Sequence, residues 1–182
     1  MQIHFDSMTP LAASFLKVFL AAAGIAMALI VSRLRGLSRE RVGLVRPPLA
    51  GTIVWVAIYA AYFLTTNYFM QWRGPWDFTP WRQQGLLVSV LRVLAVGILG
   101  PIAEELIFRG ALFARLSATK LGAWPSVVIL AIAWGVLHYT YAGGVVAMII
   151  AGGLLLGAAR VRTGSVWVPA LMHIAWNLYA VV

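Results

Sequence analysis

The sequence predicts an all-α fold, a polytopic transmembrane helix bundle of about six spans. Composition is the first reason: 62% of the 182 residues are hydrophobic and 10% are charged, against about 45–50% and about 25% in soluble domains. A chain of this length has no interior large enough to hide so much apolar surface, so the solvent must be lipid. The second reason is segmentation. Polar or Gly/Pro-marked stretches divide the chain into runs near the roughly 20 apolar residues that a spanning helix needs. The third is that basic residues collect in the short segments between runs, and in alternate ones.

The first run, Leu11 to Ser32, is interrupted only by Lys17, whose ammonium is expected to snorkel toward the near end. It follows Asp6 without a basic lead and is long enough to span, so it reads as a span rather than a signal peptide. The arginine-rich segment Arg33 to Arg46 is closed by Pro47 and Pro48, and the second run covers Leu49 to Met70. The polar stretch Gln71 to Gln84 carries Trp72, Trp76 and Trp81, suited to a headgroup interface. A third run begins near Gly85 and leads into Gly100-Pro101, and its helical pattern continues through Glu104, Glu105 and Arg109 to about Ala118. The turn Leu121-Gly122-Ala123 starts the fourth, Trp124 to Tyr141. Gly143-Gly144 starts the fifth, Val145 to Ala159, and Arg160 to Gly164 turns into the sixth, Ser165 to Val182. Gly153 and Gly157, with Gly152 beside them, form a small-xxx-small stripe that predicts close helix packing. The whole reads as one membrane domain, 1–182, with two N-terminal helices in 1–83 and the chemistry in 84–182.

The net charge of +9 sits in inter-run segments and sets orientation, so it argues for a lipid bilayer as partner and against nucleic acid. The segments after runs one, three and five hold ten basic residues: Arg33, Arg35, Arg39, Arg41, Arg46, Arg109, Arg115, Lys120, Arg160 and Arg162. The opposite side holds two, Arg73 and Arg82. The bias predicts a multi-pass protein of the cell membrane with both termini outside the cytoplasm. Cysteine is absent, which excludes disulfides, a thiolate nucleophile and cysteine metal ligands. No internal repeat supports a carrier built from inverted halves, whose proton relay would otherwise compete for the same residues.

Of five acidic residues, Asp6, Glu40 and Asp77 lie in the tail or loops, while Glu104 and Glu105 lie in the third helix. His4 is in the tail; His138 and His173 lie inside apolar runs. Ionisable groups at membrane depth are expensive and mark function by default. Glu105 stands four residues before Arg109, the favourable helical ion-pair order, so its expected role is to hold Arg109. Glu104 lies about 100° around the helix and needs another reason for its burial. Counting 17 residues from Glu104 to the turn at Leu121 and 17 more to His138 puts these two at one level. His173 sits about 15 Å above the last turn, roughly mid-bilayer. Asn177, one helical turn on, shares its face. Trp134, one turn before His138, is expected to pack. Glu104, His138, His173 and Asn177 are therefore the expected catalytic cluster, with Glu105, Arg109 and Trp134 supporting it.

These residues resemble the motifs of the CPBP family of CAAX-protease and bacteriocin-processing membrane proteins, also called Abi. Glu104-Glu105-Leu106-Ile107-Phe108-Arg109 looks like its EExxxR motif. His138 fits FxxxH with Trp134 in place of Phe, and His173 and Asn177 match HxxxN. The resemblance implies an intramembrane endopeptidase acting on a membrane-associated protein or peptide. In it Glu104, with His138, activates water, and His173 and Asn177 stabilise the oxyanion, with no metal or other cofactor. Two alternatives stay open: a zinc-dependent protease with Glu104, His138 and His173 as ligands, or a non-enzymatic membrane protein of the bacteriocin-immunity type. Candidate substrates are a prenylated C-terminus, a bacteriocin leader and the C-terminal sorting helix of an exported protein.

Overall fold

The computed structural model describes residues 8–70 and 82–181. The tail residues His4 and Asp6, and Arg73, Asp77 and the tryptophans Trp72, Trp76 and Trp81, lie outside the described residues. The fold is an all-helical bundle: α1 (Pro10–Leu34), the short α2 (Arg39–Val42), α3 (Leu49–Met70), α4 (Leu86–Leu116), α5 (Ala123–Val136), α6 (Gly143–Thr163) and α7 (Trp167–Val181). Helices α1, α3, α4 and α6 are long and apolar enough to cross a membrane, whereas α5 and α7 are shorter.

Two boundaries differ from the sequence expectation, and one expected continuity holds. Helix α4 runs unbroken through Gly100-Pro101 as expected, because a change of helical register just upstream absorbs the missing proline donor. Helix α5 stops at Val136, so His138 lies in a turn rather than in a span. Helix α6 extends on both sides, from Gly143 to Thr163. Gly164 then ends it in the left-handed conformation, φ 70°, that glycine tolerates best.

The two ends of the bundle are built differently. At one end the arginine-rich segment folds back into the protein: Ser38 caps α2 by accepting from the Arg41 N–H, and Val42 is buried. The Val166 N–H donates to Gly43 O at 2.9 Å, and the Ser165 hydroxyl donates to Val45 O at 2.9 Å. At the other end α3 and α7 are joined by Asn67 Nδ2 donating to the Tyr179 hydroxyl at 3.3 Å. Between the ends, α5 packs on α6 along the glycine stripe, where a Cβ at Gly157 would come 2.5 Å from Val127 Cγ1. Aromatic packing of Tyr59, Phe63 and Trp176 joins α3 to α7.

Candidate active site

Helix α4 carries both carboxylates on a six-residue α-helical stretch, Gly100–Glu105, set between two π-helical turns, Val93–Leu99 and Leu106–Leu112. Such turns insert one residue into the α register and leave a carbonyl without its usual donor. In the first, the Gly100 N–H donates to Ala95 O. Val96 O therefore loses its α-helical donor, and its π-helical donor would be Pro101, which has no N–H. Asn177 Nδ2 on α7 donates to it at 2.8 Å. In the second, the Phe113 N–H donates to Phe108 O and leaves Arg109 O open. Arg160 Nε on α6 donates there at 3.0 Å. Arg160 also donates to Gly164 O and Arg41 O, at 2.7 and 2.8 Å, so one buried guanidinium ties α4, α6 and the arginine-rich segment together.

The carboxylates point in different directions, as the 100° separation requires. Glu105 is fully buried, and its Oε1 accepts from Arg109 Nη1 at 3.0 Å and lies 3.0 Å from His173 Nδ1. The expected Glu105–Arg109 pair is present, but Glu105 also orients His173, a partner that sequence reasoning did not assign to it. Arg109 Nη2 donates to Gly153 O at 3.1 Å, and its guanidinium carbon lies 4.8 Å from the Trp134 ring centre. A Cβ at Gly153 would come 3.2 Å from that Nη2 and 3.1 Å from Trp134 Cε3, so the glycine stripe also makes room for the ion pair.

Glu104 faces a cavity of about 500 Å³ lined also by Lys17, Trp134, His138, Tyr141, His173 and Asn177. Trp134 is buried at its centre. Its Nε1 donates to Glu104 Oε2 at 2.6 Å, and its ring meets those of His138 and His173 edge-on, each with centroids 5.3 Å apart. Packing alone therefore understates Trp134, because its indole N–H holds the carboxylate. His138 Nδ1 lies 2.8 Å from Trp134 O. A carbonyl only accepts, so Nδ1 carries the proton and Nε2 of the neutral ring is left with its lone pair. Tyr141 stacks on His138 at 6.0 Å and 18°. Lys17 on α1 also lines the cavity.

The cavity thus gathers Glu104, His138, His173 and Asn177. Sequence reasoning missed Lys17, Tyr141, the Trp134–Glu104 bond and the Glu105–His173 contact. Lys17, an ionisable residue inside an apolar run, and Tyr141, three residues after a singled-out histidine, had local signals. Among the described residues no three His, Asp or Glu side chains are grouped as a metal set.

The sequence model of the type II CAAX prenyl endopeptidase Rce1-like family matches residues 86–179, 94 of the 182. The chain belongs to this family. No curated protein and no solved structure matches it. The Rce1-like match spans α4 to α7, so it includes every motif residue that lines the cavity. Membership makes the protein a multi-pass membrane protein of a protease family. Lys17 on α1 lines the same cavity from outside the Rce1-like region.

Proposed function

We propose that the protein is an intramembrane endopeptidase of glutamic type that hydrolyses a peptide bond in a membrane-associated protein or peptide. The observation that carries this reading is the division of labour between adjacent carboxylates: Glu105 is enclosed by Arg109 and His173, while Glu104 is held by one indole N–H and faces the cavity. Glu104 accepts a proton from a water in that cavity, and the hydroxide oxygen bonds to the scissile carbonyl carbon. His138 Nε2, left basic by the Nδ1 bond to Trp134 O, accepts the water's other hydrogen bond and so orients it. The carbonyl oxygen becomes an oxyanion. Asn177 Nδ2 donates one hydrogen to Val96 O and has a second to offer, beside His173 Nε2 when that nitrogen is protonated. Collapse of the intermediate breaks the C–N bond, and the leaving nitrogen takes the proton held by Glu104. Preorganised donors of this kind are typically worth about 2.7–4 kcal/mol each in the transition state.

Proteomics of cells carrying the wild type or Glu104→Ala, read for proteins whose C-termini change, tests this function. The expected result is a small set of membrane-associated proteins processed only with the wild type. Identical termini in both would remove the proteolytic reading.

A further inference from the structure

The cavity belongs to one end of the bundle, and it is not the end that carries the arginines. Helix α4 enters at Leu86 and reaches the arginine-rich end at Leu116; Glu104 is the deepest of its residues in the cavity wall. Part of the remaining wall comes from the opposite half, with Lys17 toward the start of α1, His138 and Tyr141 in the α5–α6 turn and Asn177 one turn from the end of α7, and Ala21 and His173 line it from mid-helix. That turn is at the same end as the close of α3, since a Cβ at Gly144 would lie 3.1 Å from Met70 Cε. No residue of 33–46, 113–123 or 160–167 lines the cavity. The arginine-rich end is closed by packing: Val42, Arg160, Ser165 and Val166 are buried there and bonded across the segment. In cross-section the cavity lies between α1, which packs on α4, and α5, which packs on α4 and α6.

Charge says which end is which. Arg109 and Arg160 are structural, each buried and bonded within the bundle, so they leave the topogenic count. Eight basic residues remain in the segments at the closed end, against two, Arg73 and Arg82, in the sequence between α3 and α4. That excess places the closed end in the cytoplasm.

We infer that the cavity opens to the non-cytoplasmic side of the membrane, and that the substrate is a membrane-anchored segment of an exported protein, cut within the membrane. This rests on the proteolytic reading for the cut, but not for the direction of the opening. A cytoplasmic lipid-modified tail approaches from the closed end, where Arg160 and the folded segment Arg39–Arg46 stand between it and Glu104. An exported protein with a membrane anchor presents its outer flank at the level of Tyr141 and Lys17, which line the cavity.

The absence of cysteine makes a direct test available. Full-length single-cysteine variants Ser38→Cys, Tyr139→Cys and Ala21→Cys are expressed in bacterial cells. Intact cells are treated with a small membrane-impermeant thiosulfonate, then compared with lysed cells. Ser38 lies at the closed end, Tyr139 is exposed in the α5–α6 turn, and Ala21 lines the cavity. Tyr139→Cys and Ala21→Cys should react in intact cells and Ser38→Cys only after lysis. Reaction of Ser38→Cys in intact cells, with the other two protected until lysis, overturns the inference. A folding failure in one variant is recognised by loss of its detergent-stable peak, and Ala142→Cys then replaces Tyr139→Cys in the same turn. The substrate is read separately, from uncleaved precursors that accumulate with Glu104→Gln. Outward-facing anchored proteins support the inference, and cytoplasmic lipid-modified proteins overturn it. The labelling reports the opening even if no precursor accumulates, a result that would count against proteolysis itself.

Discussion

Glu105 Oε1 lies 3.0 Å from His173 Nδ1 across 68 residues of sequence, and the same oxygen accepts from Arg109 Nη1 at 3.0 Å. The carboxylate that does not face the cavity is therefore the one that fixes the cavity's most buried histidine, and the neighbouring carboxylate is left to the chemistry. The two should respond differently to substitution.

Glu104→Gln keeps an oxygen for the Trp134 N–H and should retain expression and detergent stability within about 1 kcal/mol, with proteolysis abolished. Glu105→Ala strands a buried guanidinium and should cost about 3–5 kcal/mol. Thermal unfolding in detergent, beside cleavage of an identified substrate, separates the two. Full cleavage by Glu104→Gln would sink the proposed base.

Asn177→Ala removes the donor to Val96 O and one proposed oxyanion donor. Stranding the carbonyl should cost about 1–3 kcal/mol of stability, and turnover should fall by roughly 10²–10³ with much less change in substrate binding. A variant that loses stability but turns over at the wild-type rate would assign Asn177 to the helix alone.

Trp134→Phe restores the residue found in the family motif while deleting the N–H that holds Glu104. The ring continues to fill the space between the histidines, so stability should drop by only about 1–2 kcal/mol. The freed carboxylate should lower kcat about tenfold. Trp134→Ala, which empties the site, should cost about 3–5 kcal/mol. Equal effects of the two substitutions on melting temperature and on kcat would contradict a distinct role for the indole N–H.

Catalysis is expected to need no bound metal. Active, purified protein should hold no stoichiometric zinc and should survive prolonged chelation, measured by elemental analysis and residual cleavage. Activity lost on chelation and restored by zinc would favour the metalloprotease alternative.

Much of this was legible in the sequence because it is local. Run lengths reveal the helices, the four-residue offset reveals Glu105–Arg109, and 3.6 residues per turn separates Glu104 from Glu105. The close approach at Gly153 and Gly157 follows from the absence of side chains. The illegible parts are those set by distant contacts. Nothing in Val93–Leu99 or Leu106–Leu112 announces a π turn, since each is stabilised by a side chain from another helix, Asn177 or Arg160. The end of α5 at Val136 was hidden because the apolar run continues past it to Leu137. The second partner of Glu105 was hidden because the ion pair with Arg109 already accounts for its charge.

The two π turns of α4 also make the position of its carboxylates a matter of phase. Each contributes a single extra residue, and Gly100–Glu105 is the short cassette between them. Returning Val93–Leu99 to α-helical pairing at unchanged length would rotate the cassette by about 100° relative to the preceding stretch, whereas removing one residue at the same time would leave its phase as it is. Glu104 would then take the outlook of Glu105, and Glu105 would turn about 100° further from the cavity, without any change of side-chain chemistry. A chain of identical motif residues and identical length whose turn closed to α-helical pairing should keep its membrane insertion and lose its site, so motif spacing alone is an incomplete signature of function in α4.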